Sequence, residues 1–110
     1  MPENAPGALP NPAPIMQLST AYWGAQVLLT ANRVGLFGLL GGRTLDAAAV
    51  AAASGTAVRP TDLLLRACVG LGLLEQTPEG YRNAPAAETF LVPGKPTYLG
   101  EALRYSDDLY

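Results

Sequence analysis

The sequence is short of charged residues. Its 110 residues include seven Lys and Arg and nine Asp and Glu, and this 15% compares with roughly 25% in typical soluble domains. With 49% hydrophobic residues and so little charge, a small domain is expected to bury apolar surface against a partner. The net charge of −2 offers nothing that would attract nucleic acid or an anionic membrane surface.

The residue types that disulfides and metal sites require are also scarce. Cys68 is the only cysteine, so no internal disulfide can form, and a reducing cytoplasm is the expected location. One Cys, no His and no cluster of carboxylates predict no metal site. Because no base accompanies Cys68, we expect a buried, inert thiol rather than a nucleophile.

The N-terminal segment predicts a tail ahead of a single domain. Residues 1–14 contain five of the ten prolines, so we expect a disordered or extended Pro-rich tail there and a folded domain over residues 15–110. No Lys or Arg precedes Arg33, so the basic region of a signal peptide is missing. The apolar stretch Ile15–Ala31 is interrupted by polar residues and short for a membrane span, which predicts no membrane helix.

The first predicted helix begins near Pro14 and has no charged face. A surface helix of a monomer would carry one apolar stripe opposite charged side chains, but here apolar residues occupy several faces. We therefore expect this helix to lie between two subunits; the alternative is the poorly soluble edge of a fragment. The residues predicted in the dimer interface are Met16, Tyr22, Trp23, Val27 and Leu28.

The rest of the chain predicts a winged helix-turn-helix, which is a mainly α fold with a small β-hairpin. A short helix over Val34–Gly42 is followed by an Ala-rich helix that Thr44 can cap, and by a helix over Arg59–Leu71. The segments LLEQT and YRNA flank the turn signal PEG, and two further helices, AAETFLV and TYLGEALRYSDDLY, follow. The predicted buried face of the fourth helix consists of Leu64, Ala67, Cys68 and Leu71.

Winged helices usually bind DNA, but the charge of this one argues against it. Affinity for DNA comes mainly from Lys and Arg. Between Thr44 and Ala84, Arg59, Arg66 and Arg82 stand against Asp46, Asp62, Glu75 and Glu79, and three minus four leaves −1. Arg59 is also expected to pair weakly with Asp62, three residues further on. A small winged-helix transcription regulator is therefore kept only as an alternative.

Four segments together resemble a known family: WGAQVLLTANRVGLFGLL, AAAVAAASGT, LLLRACVGLGLLEQTPEGYRNAPAAETFLV and YLGEALRY. The series is similar to the N-terminal dimerisation domain of S-adenosylmethionine-dependent small-molecule O-methyltransferases, which include plant caffeate-type enzymes and bacterial enzymes that tailor polyketides and antibiotics. The resemblance covers Ile15–Tyr110. It implies that the extra N- and C-terminal helices dimerise, and that Trp23 and Tyr105 help to wall a pocket for a small aromatic or polyketide hydroxyl substrate.

The resemblance also implies a catalytic domain that binds S-adenosylmethionine, and this chain does not contain it. Gly70 and Gly72 end a helix instead of following a strand, so they do not form a nucleotide-binding loop, and no histidine base is present. We therefore predict no catalytic and no cofactor-binding residue. Three functions stay open: a dimerisation domain, which pairs with itself or with a separate catalytic chain of a split enzyme; the transcription regulator; or a free-standing dimerisation scaffold.

Overall fold

The fold is described from a computed structural model over residues 9–108, with side chains as far as residue 105. The elements follow in the order α1 (Ala13–Val34), α2 (Leu36–Leu39), α3 (Ala47–Ser54), α4 (Val58–Gly70), β1 (Leu74–Thr77), β2 (Gly80–Asn83), α5 (Pro85–Phe90) and α6 (Gly100–Asp108). The predicted order of four helices, a hairpin and two helices is therefore confirmed, as is the mainly α fold class.

Helix α1 has a defined beginning and end. Residues 1–8 of the predicted tail lie outside the described residues, residues 9–12 have no regular secondary structure, and the helix already starts at Ala13. Gly35 ends it with a left-handed φ of 88°, and its N–H donates to the carbonyls of Ala31 and Asn32. Across residues 9–108, no helix is both long and apolar enough to cross a membrane.

Helices α3 and α4 form the helix-turn-helix. The cap of α3 is Asp46, not the predicted Thr44: its Oδ1 accepts a hydrogen bond from the Ala49 N–H at 2.8 Å. The helix starts later than predicted because Leu45 is held in an extended bridge to Tyr81. Gly55, with a φ of 71°, ends α3 and allows the turn into α4.

The buried face of α4 is offset from the predicted one. Thr61, Leu65 and Cys68 are its buried residues, at the four- and three-residue spacing of one helical face. Of the predicted set, Cys68 is buried, whereas Leu64, Ala67 and Leu71 are partly buried and pack against the edge of the core. Burial raises the pKa of the Cys68 thiol to about 11, so it stays protonated at neutral pH.

The wing is a two-stranded antiparallel hairpin that is tied to the start of α3. Leu74 pairs with Asn83 and Thr77 with Gly80, which leaves Glu79 at the exposed tip. Leu45 and Tyr81 exchange both backbone hydrogen bonds, at 3.0 and 2.7 Å, and so add a third short strand-like segment to the hairpin. The core is formed by α1 to α5 and the hairpin. Its largest fully buried side chains are Phe37, Leu36, Leu40, Leu65, Val50 and Cys68.

Candidate dimerisation surface

The two halves of α1 have opposite environments. The C-terminal half is anchored in the protomer, where Leu29 and Ala31 are buried and α1 packs against α2, α4 and α6. The N-terminal half exposes large apolar side chains, namely Ile15, Met16, Leu18, Tyr22 and Trp23. From Ala13 to Trp23 this half is about 16 Å long at 1.5 Å per residue, and no charged residue occurs in it. We call this segment, residues 13–23, the apolar arm.

The apolar arm is the kind of surface that a monomer rarely leaves uncovered. Contiguous exposed apolar area of this extent usually marks a site of association. The radius of gyration, 17.3 Å, exceeds the roughly 13 Å of a compact domain of this length, as expected for a helix that extends from the body. The arm therefore offers an extended apolar face for a second chain.

The structure separates the five predicted interface residues into two groups. Met16, Tyr22 and Trp23 lie on the apolar arm, with Met16 61% and Trp23 51% exposed. Val27 is only 8% exposed, and Leu28 is partly buried and packs against the protomer's own core. The difference arises because Val27 and Leu28 lie in the half of α1 that packs against the body of the domain. Most of the surface of Val27 and Leu28 is thus used within the protomer, and the interface role of all five residues stays a prediction.

Helix α6 is fixed to α1 by a buried amide. Asn32, which is buried, donates from Nδ2 to the carbonyl oxygen of Gly100 at 3.0 Å, at the first residue of α6. On α6, Tyr105 is exposed, and Trp23 is half-exposed on the arm. Because both side chains are open to solvent in the protomer, a pocket wall made of Trp23 and Tyr105 would need surfaces from another domain or subunit.

Arginine pairing leaves little charge for nucleic acid. The predicted Arg59–Asp62 pair is wrong, because Asp62 binds Arg66 instead, with Oδ2 2.8 Å from Nε at the four-residue helical spacing. The other carboxylate oxygen of Asp62 accepts a hydrogen bond from the Tyr81 hydroxyl at 2.8 Å, which joins α4 to the wing. On the wing itself, Arg82 is paired with the opposite strand. Of the three arginines between Thr44 and Ala84, Arg66 and Arg82 are thereby paired with carboxylates.

A second polar cluster, centred on Glu88, joins four parts of the chain. The Oε1 atom of Glu88 accepts hydrogen bonds from the Gly42 N–H at 3.2 Å and from Asn83 Nδ2 at 3.0 Å. Its Oε2 atom accepts a hydrogen bond from Lys95 Nζ at 2.9 Å. Asn83 Nδ2 also donates to the carbonyl of Phe37 at 3.0 Å. The Lys95 ammonium first, then Asn83 and the Gly42 N–H, lower the pKa of Glu88 to about 2. The cluster thus holds α5 against the wing and the α2–α3 loop.

This depressed pKa predicts an acid-sensitive contribution to stability. The carboxyl of Glu88 ionises with a pKa near 4.5 when unperturbed and about 2 in the fold, so its stabilisation is present above pH 4.5 and is lost as pH falls toward 2. In urea denaturation from pH 6 to pH 2, Glu88→Gln should be less stable than the parent at pH 6. It should also lose less free energy of unfolding than the parent on acidification. Glu79→Gln, at the exposed hairpin tip, is the control and should follow the parent. If the free energy of unfolding of Glu88→Gln and of the parent changed with pH in parallel, the prediction would be contradicted.

Comparison with known proteins decides the family. A family profile described as the O-methyltransferase dimerisation domain matches residues 16–93, well over half of the chain. The chain belongs to the O-methyltransferase dimerisation-domain family. The matched residues include most of the apolar arm, the helix-turn-helix, the wing and α5. The resemblance found in the sequence is thereby confirmed, and nothing in the comparisons supports a DNA-binding regulator.

Individual relatives agree with the family. A 3-hydroxy-5-methyl-1-naphthoate 3-O-methyltransferase of Streptomyces sahachiroi is 43% identical over 89 residues, which are 81% of this chain and 26% of that protein. The N,N-dimethyltransferase OxyT of Streptomyces rimosus is 42% identical over 90 residues, 78% of this chain and 25% of that protein. The crystal structure of human N-acetylserotonin methyltransferase in complex with SAM matches with a TM-score of 0.81 at 30% identity, over 94% of this chain and 32% of that one. The chain spans about a quarter to a third of the length of these relatives.

Proposed function

We propose that this chain is the dimerisation domain of an S-adenosylmethionine-dependent O-methyltransferase and that it forms a homodimer through α1. The observation that carries the proposal is the apolar arm, an uncharged helical segment that exposes Met16, Tyr22 and Trp23 to solvent in the protomer. Burial of apolar area at roughly 25 cal/mol per Å² provides the driving force for covering it. A second copy of the same arm supplies a matching apolar surface without any new sequence.

The methyl donor and the substrate are proposed from the relatives. The human relative holds SAM in its crystal structure, and the Streptomyces sahachiroi relative is named for transfer to the 3-hydroxyl of a naphthoate. We propose S-adenosylmethionine as the donor, bound outside this chain, and a small aromatic or polyketide hydroxyl as the acceptor. Trp23 and Tyr105 are then available to wall the pocket from the dimer side. A cytoplasmic location is proposed on the strength of the single buried thiol of Cys68.

Replacing Trp23 with glutamate tests the dimer directly. Trp23 is half-exposed in the protomer, so the substitution should leave the fold intact while placing a charge in the interface. Truncation of a central aromatic residue typically costs 2 kcal/mol or more, so we expect the dimer dissociation constant to rise about 30-fold or more. Sedimentation equilibrium over a range of concentrations measures the change, and circular dichroism checks that the helices persist.

The control substitution must change an apolar residue that is about as exposed as Trp23 but lies outside α1. Leu63 is 61% exposed on α4, so Leu63→Glu introduces the same charge on an exposed apolar residue of the body and should leave the dimer unchanged. Leu28→Glu would be less informative, because Leu28 also packs against the core. If Trp23→Glu and the parent share one dissociation constant, α1 is not the interface. A parent that is monomeric at all concentrations would point to a separate catalytic chain as the partner.

A second measurement addresses the methyl donor. Calorimetric titration of this chain with S-adenosylhomocysteine should give no saturable heat, whereas the full gene product should bind it and transfer a labelled methyl group to a hydroxynaphthoate. Saturable binding by this chain alone would contradict the placement of the donor outside it. Methyl transfer by the full gene product to an aromatic amine but not to the hydroxyl would replace the proposed acceptor with a nitrogen.

A further inference from the structure

A cleft of about 310 Å³ opens between the wing, the α2–α3 loop and α5. This volume falls at the lower end of the range found for small-molecule sites. No residue of α1 or α6 lines the cleft, so it is separate from the apolar arm and from Trp23 and Tyr105. Its polar and charged lining residues are Arg43, Thr44, Arg82, Asn83 and Glu88.

Asn83 brings an unpartnered polar atom to this cleft. Its Nδ2 donates to the carbonyl oxygen of Phe37 and to Glu88 Oε1, both at 3.0 Å. Because a carbonyl and an ionised carboxylate can only accept, this orientation of the Asn83 amide is fixed. Asn83 is only 8% exposed, and none of the described residues donates a hydrogen bond to its buried Oδ1. A buried amide oxygen without a donor is unfavourable, so a ligand that supplies an O–H group to it is favoured.

The cleft also offers a positive charge. Arg43 uses its Nε on a backbone carbonyl of α2 at 2.8 Å, and no carboxylate of the described residues forms an ion pair with its guanidinium. Arg82 is less available, because its Nε already binds Glu75 on the opposite strand. The charged groups of the cleft and their ion-pair partners are Arg43, Arg82, Lys95, Glu75 and Glu88, and three minus two leaves +1. The cleft is thus suited to an anion, with Arg43 as the cation that is free to bind it.

We propose that this cleft binds a small carboxylate that also carries a hydroxyl group. The carboxylate accepts hydrogen bonds from the Arg43 guanidinium, whose planar donors match its two oxygens, and the hydroxyl donates to Asn83 Oδ1. The Thr44 hydroxyl, also on the cleft wall, can donate to the same carboxylate. Glu88 is compatible with an anionic ligand, because Lys95 balances its charge and three donors already bind its oxygens. This inference does not rest on the proposed function, since it assigns a ligand to a surface that α1 does not form.

Titration of the chain followed by nuclear magnetic resonance tests the site with matched probes. The 3- and 4-isomers of hydroxybenzoate carry both groups at two separations, benzoate lacks the hydroxyl, and phenol lacks the carboxylate. With a hydroxybenzoate, the side-chain amide of Asn83 and the backbone amide of Gly42 should shift saturably, because both residues line the cleft. The amide of Gly55, which ends α3 outside the cleft, should not shift. We expect benzoate to bind about tenfold more weakly than the better hydroxybenzoate, because it leaves Asn83 Oδ1 without a donor.

Two arginine variants complete the test. Arg43→Gln removes the proposed anchor and should raise the dissociation constant of the hydroxybenzoate about tenfold or more. Arg59→Gln is the matched control and should leave that constant unchanged, because Arg59 is exposed on α4 outside the cleft. If neither hydroxybenzoate shifts the Asn83 and Gly42 amides saturably, the cleft holds only solvent and the inference is wrong. Benzoate that binds as tightly as the hydroxybenzoates, or equal dissociation constants for the two variants, likewise overturns it. None of these results affects the proposed homodimer, which sedimentation measures independently.

Discussion

Replacing Gly80 with alanine should cost roughly 2–6 kcal/mol of the free energy of unfolding, made up of about 1–3 kcal/mol each for backbone strain and for overpacking. Gly80 begins β2 with a φ of 144°, which L-residues rarely adopt. A Cβ atom there would lie 2.5 Å from the carbonyl carbon of Leu45 and 2.7 Å from the backbone nitrogen of Asp46. Both neighbours are backbone atoms of the segment that pairs with Tyr81 and caps α3, so no side-chain rotation relieves the clash. Urea denaturation gives the change in free energy.

The matched control changes a glycine whose positive φ would strain an alanine but whose added Cβ would meet no neighbouring atom. Gly55 has a φ of 71° and no heavy atom within 4 Å of an added Cβ, so Gly55→Ala should cost only about 1–2 kcal/mol, the strain of a left-handed alanine. The difference between the two variants isolates the close approach of the wing to α3. Equal losses for Gly80→Ala and Gly55→Ala would show that the Leu45–Tyr81 bridge yields easily and contributes little to the fold.

The order of elements could be predicted because each helix end and turn is determined by a few neighbouring residues. Helix ends at Gly35 and Gly55 and the hairpin turn before Gly80 depend on backbone conformations that only a few residue types favour. The phase of α4 was not predictable in this way. Leu63, Leu64 and Leu65 are consecutive, so periodicity alone does not say which one faces inward. Packing against α3 and the wing selects Leu65 and leaves Leu63 exposed.

The polar clusters could not be predicted, because their members are far apart in sequence. Glu88 meets the Gly42 N–H across 46 residues, and Asp62 meets Tyr81 across 19. A charge pattern along one helix offers Asp62 a near neighbour on either side, Arg59 and Arg66, without deciding between them, and it gives no sign of the Tyr81 hydroxyl. The apolar face of α1, in contrast, could be predicted from the absence of charged residues on this helix before Arg33. What the sequence could not show was where the arm ends, since Val27 and Leu28 are equally apolar but pack inside the protomer.

Phe37 connects this anchored half of α1 to the rest of the domain, and Phe37→Ala should lower the free energy of unfolding by about 3–5 kcal/mol. Phe37 lies on α2, directly after the turn at Gly35 that ends α1, and it is 1% exposed at the centre of the core. Its carbonyl accepts the hydrogen bond from Asn83, which links α2 to the Glu88 cluster. A cavity at this position therefore loosens the base from which the apolar arm projects.

The measurement must separate the loss of folding from the loss of association, because a dimer's apparent stability depends on protomer concentration. Thermal unfolding of Phe37→Ala should be followed at two concentrations a hundredfold apart and compared with Phe90→Ala, in which a 42% exposed ring is removed. We expect a much larger loss for Phe37→Ala at both concentrations, since the cavity lies within each protomer. If the loss vanished at the higher concentration, Phe37 would act mainly through the dimer, and the core would have to be assigned partly to the partner subunit.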